Sequence, residues 1–219
     1  MSLSTTNRLA IAIMALVAPV TAAELRFVPL NDEIAGREIA VRDSKGTTGL
    51  MELSSRKRSE PYNCVAGEKP LELVALDRDG AAAAIDLPES IKSPLVLILP
   101  DSDNPTGLRA LAVEDSDSGF PWGTLMFVNL SDGPLVVRCD KEEVTIPVGD
   151  KPVLVMPGGA GRNVGLQIFK KDQPDAVLYS AVWEHDPKLR KLIFAVTASD
   201  DAAKAIELKI VPQDQRAEP

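Results

Sequence analysis

A chain of 219 residues with one histidine and two cysteines has little with which to hold a transition metal. His185 stands alone and Cys64 and Cys139 are far apart, so the usual tetrahedral zinc set cannot be assembled. Aromatic residues are scarce as well: two Trp, two Tyr and five Phe. With Trp183 expected in a core strand, too few remain for the exposed platform on which carbohydrate-binding sandwiches stack sugars. Positive charge is the minority sign. The formal net charge of −8 repels polyanions, so nucleic acid and anionic membrane surfaces are not expected partners. The basic run Arg56-Lys-Arg58 is the exception, and it reads as a solvated loop between strands. Beyond the N-terminus no apolar run approaches the ~20 residues that a spanning helix needs.

What the N-terminus does have is the three-part pattern of a secretion signal. Arg8 supplies the positive charge, Leu9 to Val20 is almost uninterruptedly apolar, and Thr21-Ala22-Ala23 offers the small side chains of a cleavage site. The apolar stretch is short for a membrane anchor. Residues 1–23 are therefore expected to be a signal peptide, and the working protein to be periplasmic or secreted, with no transmembrane segment after its removal.

The rest of the chain nearly repeats itself. Leu25-Arg-Phe-Val-Pro-Leu-Asn-Asp32 returns as Leu125-Met-Phe-Val-Asn-Leu-Ser-Asp132. Val41-Arg42 returns as Val137-Arg138, and Leu95-Val-Leu-Ile-Leu99 as Leu192-Ile-Phe-Ala-Val196. The offsets fall between 96 and 100 residues and keep their order. Two copies of one small domain account for this better than a single enzyme fold.

Nearly every apolar segment is short, alternating and bounded by Gly, Pro, Asp or Asn, which is the signature of an all-β chain. The pattern predicts strands near 24–30, 37–42, 48–53, 62–66, 70–76, 81–86, 94–99 and 107–113. A matching set follows near 124–130, 134–139, 143–147, 151–156, 163–170, 176–183, 190–196 and 205–211. Seven or eight short strands in about 95 residues is the size of an immunoglobulin-like or related sandwich. The expected organisation is a first β-sandwich over 24–114, a second over 120–212 and a polar C-terminal tail at 213–219. The acidic linker Glu114-Asp-Ser-Asp-Ser-Gly119 makes relative motion of the two domains the default, with Phe120 and Trp122 packing at the junction.

Constellations of chemically active residues are weak. His185 lies in Trp183-Glu-His-Asp-Pro-Lys188, where Asp-Pro initiates a hairpin turn, and residues adjacent on one turn seldom converge as a triad. Asp101-Ser-Asp-Asn104 and Asp115-Ser-Asp117 lack EF-hand spacing and read as turns. Pro157-Gly-Gly-Ala-Gly-Arg-Asn163 lacks the Lys-Ser/Thr ending of a phosphate loop and precedes a strand. Asn129-Leu-Ser131 matches the N-glycosylation pattern at a strand end. Cys64 and Cys139 fall in different copies. A disulfide between them would close a long loop and stabilise by ~4 kcal/mol, and two buried free thiols are the alternative.

The stretches Gly123-Thr-Leu-Met-Phe-Val-Asn-Leu-Ser-Asp132, Val144-Thr-Ile-Pro-Val-Gly149 and Val155-Met-Pro-Gly158 resemble a pattern in uncharacterised exported bacterial β-sandwich proteins. More distantly they are similar to periplasmic sandwich modules of polysaccharide O-acetylation. The resemblance implies fold and compartment, and it brings no catalytic residue with it.

A duplicated sandwich without a convergent polar site points to a non-catalytic exported binding or assembly module acting through protein surfaces. The expected partner is an envelope or extracellular protein, and no cofactor or metal is expected. The alternatives are a carbohydrate-binding module or an accessory enzyme acting on envelope polysaccharide. Trp122, Glu184, His185 and Asp186 are the candidates for a surface site.

Overall fold

A computed structural model describes residues 21–66, 70–157, 161–198 and 206–217. The first half holds strands β1 (Thr21–Pro29), β2 (Ile39–Asp43), β3 (Gly46–Thr47), β4 (Tyr62–Ala66), β5 (Leu71–Ala75), β6 (Ala81–Ile85), β7 (Pro94–Pro100) and β8 (Leu108–Glu114). The second holds β9 (Leu125–Leu130), β10 (Leu135–Cys139), β11 (Glu142–Ile146), β12 (Val153–Val155), β13 (Arg162–Lys170), β14 (Val177–His185), β15 (Leu189–Thr197) and β16 (Ile206–Asp214).

The two halves have one topology. Sheet β4-β1-β7-β8 faces β3-β2-β5-β6 in the first, and β12-β9-β15-β16 faces β11-β10-β13-β14 in the second. Each half contains one parallel pair among antiparallel ones, β1 with β7 and β9 with β15. Even the register repeats. Val28 lies opposite Leu97, and its counterpart Val128 lies opposite Phe194. The fold is all-β, two tandem β-sandwiches from an internal repeat.

Alternation along a strand sends successive side chains to opposite faces. In the second half, Leu125, Phe127, Ile193 and Ala195 belong to the core between its own two sheets. Their neighbours Met126, Val128, Leu192 and Phe194 join the first half's core instead. The central strands β9 and β15 are thus buried on both faces, and so is β7, in which Leu95 to Leu99 are all fully covered. This explains why these strands are continuous apolar runs rather than alternating ones. The two copies meet through the same face of the same sheet, the arrangement of an isologous dimer joined in one chain. The interface is large and apolar, so the linker does not leave the domains free to move.

Two further expectations are corrected, the strand at 48–53 and the polar tail from residue 213. The segment 48–53 is not a strand. The Asp43 carboxylate accepts from the Lys45 and Gly46 amides and tightens the turn after β2. After β3 only Thr48 and Met51 reach back, to the Val41 and Ile39 carbonyls, while Gly49 and exposed Leu50 bow outward between them. A helical turn, α1 (Asp32–Ala35), follows β1, capped by the Asn31 side chain accepting from the Ile34 amide at 2.9 Å. Residues 213–217 do not form a tail: β16 continues to Asp214, Gln213 is buried, and a short 3-10 turn covers Gln215–Ala217. Cys64 and Cys139 are both free and buried, each in a different core, and no disulfide joins the halves. The proposed signal peptide lies outside the described residues except at Thr21–Ala23, which pair with β4.

Candidate functional site

The linker is pinned rather than loose. Arg58 grips Asp115 through two hydrogen bonds of 2.8 Å, Nε to Oδ2 and Nη2 to Oδ1. These side chains are 6 % and 7 % exposed. Of the basic run expected to be solvated, Arg56 and Lys57 are exposed, but Arg58 is drawn in as the counter-ion of the linker. Arg190, at the start of β15, approaches the same Asp115 Oδ1 at 3.6 Å. It donates from Nε to Gln213 Oε1 at 2.8 Å and from Nη1 to the Phe120 carbonyl at 2.7 Å. Its guanidinium stacks over the Trp122 and Phe120 rings at 4.4 and 5.1 Å. One carboxylate therefore ties the first half, the linker and the second half together. With Asp115 so engaged, the expected turn at 115–117 is an ion-pair clamp.

Beside this clamp an open cleft of about 900 Å³ runs between the halves. The loop between β6 and β7 forms one wall, with Glu89 and Lys92. Trp122, Gln213 and Gln215 form the other.

Of the four candidate surface residues, only Trp122 lines this cleft. Glu184 is exposed, whereas His185 is 8 % exposed, its ring against Gly123. Gly123 has φ +79, and a side chain there would meet the imidazole and the Pro187 backbone. Asp186 accepts from the Lys188 amide and pairs with Arg216 at 2.8 Å, and these contacts hold its carboxyl below the usual aspartate range. The three therefore do not converge on one point. The glycosylation pattern is also structural. Asn129 is fully buried, donating to the Gly133 and Ile146 carbonyls and accepting from the amide and hydroxyl of Ser131.

The sheet edges supply the other candidate. Unpaired strand edges invite pairing with other chains, and proteins shield them by shortness, charge, proline or cover. Here β3 and β12 are two and three residues long. Alongside β4, the Asp43 carboxylate accepts from the Val65 amide, and Ser44 donates to the Val65 carbonyl. β6 and β8 run beside one another. β11 opens with two glutamates, and β16 carries Glu207, Lys209 and Pro212. β14 has none of these devices over Val177–Trp183, seven residues without a charge or a proline. Among the described residues it pairs only with β13, and Val182 and Val177 are 71 % and 48 % exposed. On the inner side Trp183 donates to the Tyr179 hydroxyl at 3.0 Å and the two rings pack edge to face, so the strand is held stiffly. Sequence reasoning passed over this site because edge and central strands look alike until the pairing partners are known.

No family model matches the chain, and no curated protein matches it. Among solved structures it is similar to a candidate cell adhesion protein from Bacteroides uniformis, with 10 % identity over 90 % of this chain and 98 % of that one. The TM-score is 0.24, an overlap too loose to carry fold or function across.

Proposed function

We propose that the protein is a non-catalytic, exported binding module that takes an extended segment of a partner protein onto the free edge of β14. The observation that supports this reading is the contrast among the edges: every other one is short, charged, proline-bearing or shielded, whereas β14 runs for seven residues, Val177–Trp183, without charge or proline and with one strand partner among the described residues. Main-chain hydrogen bonds along such an edge supply affinity, and side chains on alternate positions supply specificity. The formal charge of −8 sets one copy against another, which favours a different protein over a second copy as the occupant.

The test is cross-linking in the native envelope followed by purification and mass spectrometry. Wild-type protein should bring down one stoichiometric partner. The double variant V177K/V182K, which changes two solvent-facing side chains, should keep its thermal midpoint and lose that partner. Retention of the partner by the folded double variant, or recovery of a second copy of the chain alone, overturns the reading.

A further inference from the structure

We propose that the cleft between the two sandwiches is a binding site for a neutral oligosaccharide, separate from the β14 edge. Its volume of about 900 Å³ falls within the range of small-ligand sites, which favour the seams between domains. The seam is rigid here. The Asp115 clamp and the shared apolar core hold both walls in place, so a ligand meets a preformed surface and little ordering opposes binding.

The chemistry of the walls narrows the ligand. Trp122 is the one aromatic ring in the cleft, and Arg190 braces it at 4.4 Å. A braced indole offers a flat apolar surface of the kind that the C–H face of a sugar ring covers. Around it stand Lys92, Glu89 and Gln215, all exposed, which offer donors and acceptors to hydroxyl groups. The charges lining the cleft are mixed, Arg26, Lys92 and Arg190 against Glu24, Glu89, Asp115 and Asp117. No field of one sign selects a charged ligand, and an acidic one also meets the negative charge of the whole chain. A hydroxyl-rich, uncharged ligand suits both the ring and the rim.

The two tryptophans make the site readable, because one lies in the cleft and the other on β14. In W183F, fluorescence reports Trp122 alone. Titration of this variant with cellohexaose, maltohexaose and mannohexaose should give a saturable change with at least one of them. Calorimetry should show that K92A/Q215A, which alters two exposed side chains, weakens that binding about ten-fold, a loss of about 1.4 kcal/mol. V177K/V182K should leave it unchanged, which separates this site from the protein-binding edge. No saturable change with any of the three sugars overturns the proposal, and so does full-strength binding by K92A/Q215A. Binding of hexagalacturonate alone, lost at high salt, overturns the neutral class.

Discussion

Arg58 and Asp115 lie 57 positions apart in the chain, yet share two hydrogen bonds of 2.8 Å with both side chains more than nine-tenths buried. Removing one member of such a pair strands the other without a counter-charge. The Asp115→Ala variant should therefore lose about 3–5 kcal/mol of stability. The loss should exceed that of Arg58→Met, which keeps the apolar packing against Phe120 and leaves Asp115 beside Arg190. Urea unfolding of the two variants checks the order. Equal losses would mean that Arg190 does not help to hold Asp115.

Asn129 should carry no glycan when the protein is expressed in a glycosylating host, despite its acceptor pattern. Its amide nitrogen donates to two carbonyls and the residue is fully covered. Intact mass spectrometry reads this directly. Asn129→Ala should destabilise, because it leaves the buried Ile146 carbonyl without that donor, and an unmet buried group costs about 1–3 kcal/mol.

Both thiols should be silent in the native protein. Burial, aided by the nearby Asp43 charge, pushes the Cys64 thiol up to about 11, and burial raises Cys139 as well. The thiolate is the reactive form, so little of it exists at neutral pH. A thiol reagent should label neither cysteine in buffer and both in denaturant, and the mass of the folded protein should show two free thiols.

Asp43 should contribute a stability that fades in acid. Its carboxylate accepts from the Val65, Lys45 and Gly46 amides, and these bonds hold its pKa below the ordinary 3.8. A group depressed in the folded state stabilises fully above its unfolded value and loses that contribution as pH falls through the folded one. Asp43→Asn should be less stable than wild type at pH 6, because its amide group faces N–H donors that the carboxylate accepted. The gap should narrow below pH 3.8. Urea midpoints measured from pH 6 to 2.5 follow it, and a constant gap would mean that the bonds do not favour the ionised form.

Much of the architecture was legible in the residues. The repeat of Leu25–Asp32 as Leu125–Asp132 announced two copies, and the observed strands of the second copy all fall within a few residues of their expected places. Strands bounded by Pro94 and Pro100, or by turn residues, are local statements, because proline and glycine act on the backbone wherever they occur. The exception at 48–53 is instructive. Leu50, Met51 and Leu53 have the apolar content of a strand, but the Asp43 carboxylate holds the turn after β2, and beyond β3 only Thr48 and Met51 donate backbone bonds to β2. The four-residue α1 was not expected, because one helical turn is too short to show a period.

The sites were less legible, for a physical reason that Arg58, Asp115 and Val182 illustrate. By itself the sequence determined that the chain is all-β, duplicated and limited to one histidine and two cysteines, since composition and short-range pattern suffice for those conclusions. Only the tertiary structure decided that Arg58 leaves its basic run for a buried carboxylate and that the linker is a clamp. It also decided that the central strands of one sheet in each copy are buried on both faces and that β14 has one strand partner among the described residues. Each of these depends on which face meets which across the sandwich seam, and burial and pairing are properties of long-range packing that no local pattern encodes.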